Sequence, residues 1–295
     1  MTTEPRDRRR RSALYMPASN ARALRKAREL EADAVILDLE DSVAPAAKEA
    51  ARAMACEAVR EGGFGRREVV LRVNAPGTPW AEADRAAAIA AAPDAILVPK
   101  VQGPDDVLPI ARALDEAGAA HTTIWAMIET PRAVLEALAI VDAVRRQTPR
   151  LAVLVMGLND LSRETGMRLQ RGRAGMLPWI ATVLAAARAN GLDLLDGVCN
   201  AIGDEAALRE ECEQARDLGL DGKTLIHPGQ IGICNAAFSP APEEIAWARG
   251  VEAAFADPAN SAAGVIQLDG QMVERLHLDM AQRILRRAPD GGDMP

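Results

Sequence analysis

The chain has 295 residues, enough for one large domain or two ordinary ones. Apolar residues make up 49% of it but aromatics only 3%, so the core must be aliphatic. A net charge of −7 with so few stacking rings argues against nucleic-acid binding, and no apolar run reaches the ~18 residues of a membrane-spanning helix.

The chain opens on a basic run, Arg8 to Arg11, with no signal-peptide core before it. Glu4 and Asp7 interrupt the charge, so residues 1–11 are expected as a solvated basic tail; a transit peptide or a phosphate-binding arm is the alternative. Short apolar runs then recur over 13–17, 34–39, 69–73, 95–99, 123–128, 151–156, 194–198 and 221–226. None alternates, as expected of parallel strands buried on both faces. Helical patterns lie between them, including 21–30, 44–61, 104–117, 131–146, 177–190 and 204–218. Gly118 and Gly191 read as C-terminal caps and Asp204 as an N-cap.

Eight strand–helix units predict a (β/α)8 TIM barrel over residues 12–234. A doubly wound open sheet is the rival, but no GxGxxG follows the first strand. After Ile233 the rhythm changes to a Pro-bounded helix over 242–256, a small-residue linker and an amphipathic helix. Residues 235–295 are therefore expected as a C-terminal extension or lid. Cys56, Cys199, Cys212 and Cys234 form no CxxC pair, which argues for reduced thiols and a cytoplasmic setting rather than a zinc or redox site.

Barrel active sites lie at the C-terminal ends of the strands. Polar residues gather there: Ser19 and Asn20, then Asp38, Glu40 and Asp41, then Arg72 and Asn74, Lys100, Glu129, Asn159 and Asp160, Asn200 and His227. Crowded carboxylates repel unless protonated or bound to a cation, and Mg²⁺ takes one or two of them. Glu129 and Asp160 are the best ligand candidates; the alternative is that either caps a helix or sits at the surface. In an extended strand Asp38 and Glu40 point to the same side. Asp41 is expected to cap the following helix with Ser42.

The motifs RSALYMPASN, ADAVILDLEDSV, VVLRVNAPG, AILVPKV, AMIETPRAV, VMGLNDLS and DGKTLIHPGQI, followed late by LDGQMVE, resemble the citrate lyase β-subunit-like family of the HpcH/HpaI aldolase superfamily. The resemblance spans about residues 11–288 and covers the malyl-CoA and citramalyl-CoA lyases. It implies a TIM barrel, Mg²⁺-dependent C–C cleavage or Claisen-type condensation of a β-hydroxyacyl-CoA, and a homo-oligomer (a trimer or dimer of trimers). The partners it implies are a small acyl-CoA and a 2-oxoacid.

By position, the resemblance makes Glu129 and Asp160 the Mg²⁺ ligands and Arg72 the clamp on the 2-oxoacid carboxylate. Asp38 and Glu40 become acceptors that orient Arg72 and metal-bound water. Tyr15, Asn20, Lys26, Ile226 and His227 occupy places where relatives contact the thioester substrate, with His227 expected as a hydrogen-bonded residue orienting its loop rather than as a catalytic group. The proton carrier of relatives is an Asp in a C-terminal DGxM(I/V)D-like motif supplied by a neighbouring subunit. Here the matching residue is Glu274, one methylene longer, and Asp269 is a nearby alternative that also reads as a turn residue. Arg163, Arg168, Arg171 and Arg173 either meet phosphates and extra carboxylates or form an exposed loop. Alternative activities are a citrate lyase β subunit acting on a carrier-protein thioester, an acyl-CoA thioesterase and a non-catalytic acyl-CoA-binding homologue.

Overall fold

The computed structural model describes residues 8–260, 263–268 and 270–288; Asp269 lies outside them. Eight parallel strands close in chain order into a barrel. They are β1 (Ser12–Pro17), β2 (Ala34–Asp38), β3 (Glu68–Arg72), β4 (Ala95–Val98), β5 (Thr123–Ile128), β6 (Leu151–Met156), β7 (Asp193–Asp196) and β8 (Gly222–Leu225). Pairing of β8 with β1 completes the circle and excludes the open sheet.

The missing alternation has its cause in two apolar layers. Ala13, Ala34, Ile36, Val70, Leu97, Trp125 and Val153 pack inside the barrel. Leu14, Val35, Leu37, Leu71, Ile96 and Leu154 pack outward against the helices. Each buried Leu, Ile or Val contributes about 1.5–3 kcal/mol. Polar side chains at the inner strand ends therefore stand out against a dry apolar wall.

The helices are α1 (Ala21–Ala27), α2 (Lys48–Glu61), α3 (Ala81–Ala91), α4 (Leu108–Glu116), α5 (Pro131–Leu135), α6 (Ala137–Arg145), α7 (Leu158–Thr165), α8 (Leu177–Ala189), α9 (Glu205–Leu218) and α10 (Ile231–Phe238). Asp204 caps α9 by accepting from the Ala207 N–H at 2.9 Å. The single helix expected over 131–146 is two, because Glu136 leaves helical geometry at ψ 7°. The pattern over 44–61 opens with a 3₁₀ turn, Pro45–Ala47, before α2 begins.

The expected solvated tail does not extend to Arg10 and Arg11. Arg10 is 3% exposed. It bridges Glu68 and Asp193 at 2.6 Å each on the N-terminal side of the barrel, and Arg11 pairs with Asp33 at 2.8 Å. Gly222 lets β8 approach here, since a Cβ on it would lie 1.9 Å from the Arg10 carbonyl oxygen. A second ionic cluster joins the barrel wall to α9: Lys223 Nζ donates to Asp196 and Glu211 at 2.8 Å, and Arg173 pairs with Asp196 at 2.7 Å. Arg173 is therefore a buried structural arginine rather than part of an exposed or phosphate-binding loop.

Arg10–Phe238 forms one compact unit. The other contains the chain from Ser239 onward. In it, α11 (Pro242–Ala256), a hairpin of β9 (Val265–Leu268) and β10 (Gln271–Glu274), and α12 (Arg275–Arg287) pack around Val251, Phe255, Ile266 and Val273. Among the described residues, no helix is long and apolar enough to cross a membrane.

Candidate active site

Asp38 and Arg72 are register partners at the ends of β2 and β3. Asp38 follows Ala34 and Ile36 at two-residue steps, so it points inward; Arg72 follows Val70 likewise. Arg72 Nε donates to Asp38 Oδ1 at 2.6 Å and Nη2 to Oδ2 at 2.7 Å, a two-pronged pair. Its Nη1 lies 2.9 Å from Glu40 Oε2, an ion pair without hydrogen-bond alignment. The guanidinium carbon sits 4.7 Å above the Tyr15 ring. Arg72 is thus fixed from two sides with little side-chain freedom left to lose on binding a ligand.

Burial works to raise the Asp38 carboxyl pKa, but Arg72 and the N–H groups of Ser42 and Glu40 outweigh it and hold it below the usual range. Burial dominates at Glu40 and pushes it up, against Arg72 and Lys100. Burial also raises the Tyr15 phenol. Asp41 does not cap a helix. Its side chain is largely exposed, 3.6 Å from Arg72, and the Pro45–Ala47 turn begins without a side-chain cap. Asp38 instead orders the segment directly after β2 by accepting from the Glu40 and Ser42 N–H groups.

Glu129 lies one residue beyond β5 and is 1% exposed. It does not cap α5, because Thr130 does so by accepting from the Ala133 N–H at 3.1 Å. One carboxylate oxygen accepts from the Lys100 N–H at 2.6 Å. The other is buried and has no hydrogen-bond partner. Burial, then the nearby charge of Glu40, pushes the carboxyl up to about 8. Gly157, just beyond β6, makes room: a Cβ there would lie 2.5 Å from Glu129 Oε2.

Asp160 stands in the first turn of α7. Its Oδ1 is 2.6 Å from Arg163 Nη2 and 3.8 Å from Lys100 Nζ. Glu129 and Asp160 thus converge on Lys100 from neighbouring strand ends. Two hard carboxylate donors, one buried with an unsatisfied oxygen, fit a small divalent cation. The pair falls short of three His, Cys, Asp or Glu ligands, and among the described residues no such group of three occurs. Water and substrate oxygens would complete the shell, as is usual for Mg²⁺.

The expected substrate contacts separate. Tyr15 is inside the barrel beneath Arg72. Asn20, Lys26, Ile226 and His227 are exposed on segments following β1 and β8, which are paired neighbours. Asn20 caps α1, accepting from the Arg22 and Ala23 N–H groups. His227 Nδ1 accepts from the Gly229 N–H at 3.1 Å, the loop-orienting arrangement. Glu274 ends β10 and its N–H donates to His277 Nδ1 at 2.9 Å. Lys100 is the residue that sequence reading left out of the site. It was visible only as one strand-end polar residue among many.

A closed (β/α)8 barrel with a pinned arginine and an unsatisfied buried carboxyl beyond β5 holds the kinds of group that carboxylate and divalent-cation handling require. The chain belongs to the HpcH/HpaI aldolase/citrate lyase family, whose model matches residues 11–228. It is 45% identical over 278 residues to a (3S)-malyl-CoA thioesterase of Cereibacter sphaeroides, covering 94% of each chain. It is 32% identical over 291 residues to the citrate lyase subunit beta of Escherichia coli, covering 96% of this chain and 94% of that one. A solved structure of CitE from Mycobacterium tuberculosis, in complex with magnesium, acetoacetate and coenzyme A, superposes with a TM-score of 0.75. That alignment has 32% identity and covers 96% of this chain and 100% of the other.

Proposed function

We propose that this protein hydrolyses the thioester of a malyl-CoA-type 3-hydroxyacyl-CoA at a divalent-cation site in the barrel mouth. The observation that carries the site is the buried Glu129 oxygen without a partner, linked through Lys100 and Glu40 to an Arg72 fork already pinned by Asp38. The choice of hydrolysis follows the 45% identity to malyl-CoA thioesterases over 94% of the chain. The sequence alone put C–C cleavage first.

Glu129 and Asp160 would hold magnesium. When bound, it supplies Lewis-acid polarisation of substrate oxygens. Arg72 grips the free carboxylate of the acyl group, and Asp38 and Glu40 keep the guanidinium aimed. The Tyr15 ring supports the guanidinium from below. Asn20, Lys26, Ile226 and His227 offer an exposed strip for the CoA arm. Glu274 takes a proton from water as the oxygen bonds to the thioester carbon. The tetrahedral adduct then collapses by breaking its C–S bond, and the CoA thiolate leaves and is protonated. Glu274 reaches the site from a neighbouring copy of the chain in a homo-oligomer.

A second reading, C–C cleavage, is favoured by the 32% identity to citrate lyase subunit beta. There the 3-hydroxyl gives its proton to solvent water, the C–C bond breaks to leave a 2-oxoacid and a thioester enolate, and Glu274, present in its acid form, passes its proton to the enolate carbon. One assay separates the two. The protein is incubated with (3S)-malyl-CoA and Mg²⁺, free thiol is measured, and any 2-oxoacid is trapped as its hydrazone. Free CoA with malate supports hydrolysis, glyoxylate with acetyl-CoA supports cleavage, and neither product sinks both.

A further inference from the structure

Lys100 has a backbone that a lysine rarely adopts. Its φ is +51°, in the left-handed region. Glycine enters that region freely, whereas a Cβ makes it costly. A lysine kept in such a conformation at a site suggests that both its backbone and its side chain are in use.

Both halves have partners. The N–H reaches Glu129 Oε1 at 2.6 Å. The ammonium reaches Glu40 Oε1 at 2.8 Å and lies 3.8 Å from Asp160. Glu40 in turn pairs through its other oxygen with Arg72. One residue thereby touches three carboxylates and, through Glu40, the arginine. Glycine would give the N–H without the ammonium.

We propose that Lys100 is the positioning residue of the mouth: its left-handed N–H sets the Glu129 carboxylate, and its ammonium sets Glu40 and hence the aim of Arg72. The inference rests on the reading of Glu129 and Asp160 as cation ligands and of Arg72 as the carboxylate clamp. It predicts a split. Removing the ammonium leaves the Glu129 contact in place and takes a positive charge from beside Asp160, so cation binding is kept or tightened. The same change loosens Glu40 and weakens capture of a substrate carboxylate.

The test is calorimetric titration of the full-length protein with Mn²⁺, then with pyruvate at saturating Mn²⁺. Lys100→Met should bind Mn²⁺ at least as tightly as the parent and pyruvate about tenfold more weakly, the scale of one hydrogen bond to a charged group. Lys100→Arg should recover most of the pyruvate affinity. Lys100→Gly should melt higher than Lys100→Met, since both lack the ammonium and only glycine suits the backbone.

Unchanged pyruvate affinity in Lys100→Met overturns the proposal, as does parallel loss of both affinities, which would mark general disruption. A Lys100→Gly protein melting below Lys100→Met overturns the backbone half. A parent that takes up no Mn²⁺, or a Glu129→Gln variant that binds it like the parent, sinks the metal-site reading itself. Normal parent binding beside an unaltered Lys100→Met sinks the Lys100 role alone.

Discussion

Asp38 receives the Arg72 guanidinium on both of its oxygens, at 2.6 and 2.7 Å, from the adjacent strand and in direct register. The remaining nitrogen, Nη1, is the one facing Glu40 and the mouth. The clamp is therefore a planar cation with two bonds committed to holding it still.

A lysine at position 72 would keep the charge and lose the fork. Arg72→Lys should fold normally by circular dichroism yet lose roughly 100-fold in kcat/KM, the order of two charged hydrogen bonds. Steady-state kinetics on (3S)-malyl-CoA measures it. Activity within threefold of the parent would remove Arg72 from the carboxylate clamp.

Glu129 sets a pH dependence. Its carboxyl rises from an ordinary 4.5 to about 8 in the folded protein, through burial first and the charge of Glu40 second. Between those values the folded state keeps a proton that the unfolded state has lost. Metal-free stability from this group is therefore complete below about 4.5 and falls as pH rises to about 8. Cation binding runs the other way, because the ion displaces the proton. Mn²⁺ affinity should climb with pH up to about 8 and then level off, and Glu129→Gln should abolish most of both slopes. A flat binding profile from pH 5.5 to 8, tested at roughly unit steps around the shifted value, would contradict the protonated Glu129.

Gly157→Ala is the sharpest steric probe. Its Cβ would lie 2.3 Å from Glu129 Cβ and 2.5 Å from Oε2, so the carboxylate must move. The substitution should cost about 1–3 kcal/mol of stability, typical of overpacking, and abolish Mn²⁺ uptake. Titration on a folded sample settles the point; retained uptake would place the cation elsewhere.

Lys223, Asp196 and Arg173 are buried, Glu211 is partly exposed beside them, and these ion pairs link the four to one another and not to Arg72. Lys223→Met leaves Asp196 its Arg173 cation and the Gly197 N–H but takes away the 2.8 Å partner of both Asp196 and Glu211, so denaturant unfolding should register a loss of about 1–3 kcal/mol. Below its melting transition the variant should retain the parent kcat. A large loss of kcat in a fully folded sample would tie this cluster to the chemistry.

Much of the barrel is legible locally. The runs at 123–128 and 151–156 coincide with β5 and β6, and the helix at 242–256 with α11, because apolar runs and proline boundaries are short-range signals. The joint at Glu136 escaped because one residue's ψ leaves no periodic trace. Glu129, Asp160 and Arg72 were visible as acids and a base at strand ends. Arg10 looked like tail, since nothing near it in sequence announces Glu68 or Asp193.

By itself, then, the sequence determined the strand–helix rhythm, the barrel it closes into and the family motifs, because these depend on spacing within a few residues. Tertiary structure alone decided which charges meet. Lys100 reaches Glu40 across 60 positions and Arg72 reaches Asp38 across 34, and those contacts leave one Glu129 oxygen without a partner. Hydrogen bonds and burial act over a few ångströms of space, whatever the separation along the chain, so a carboxylate's partner and protonation emerge only once the barrel has brought its strand ends together.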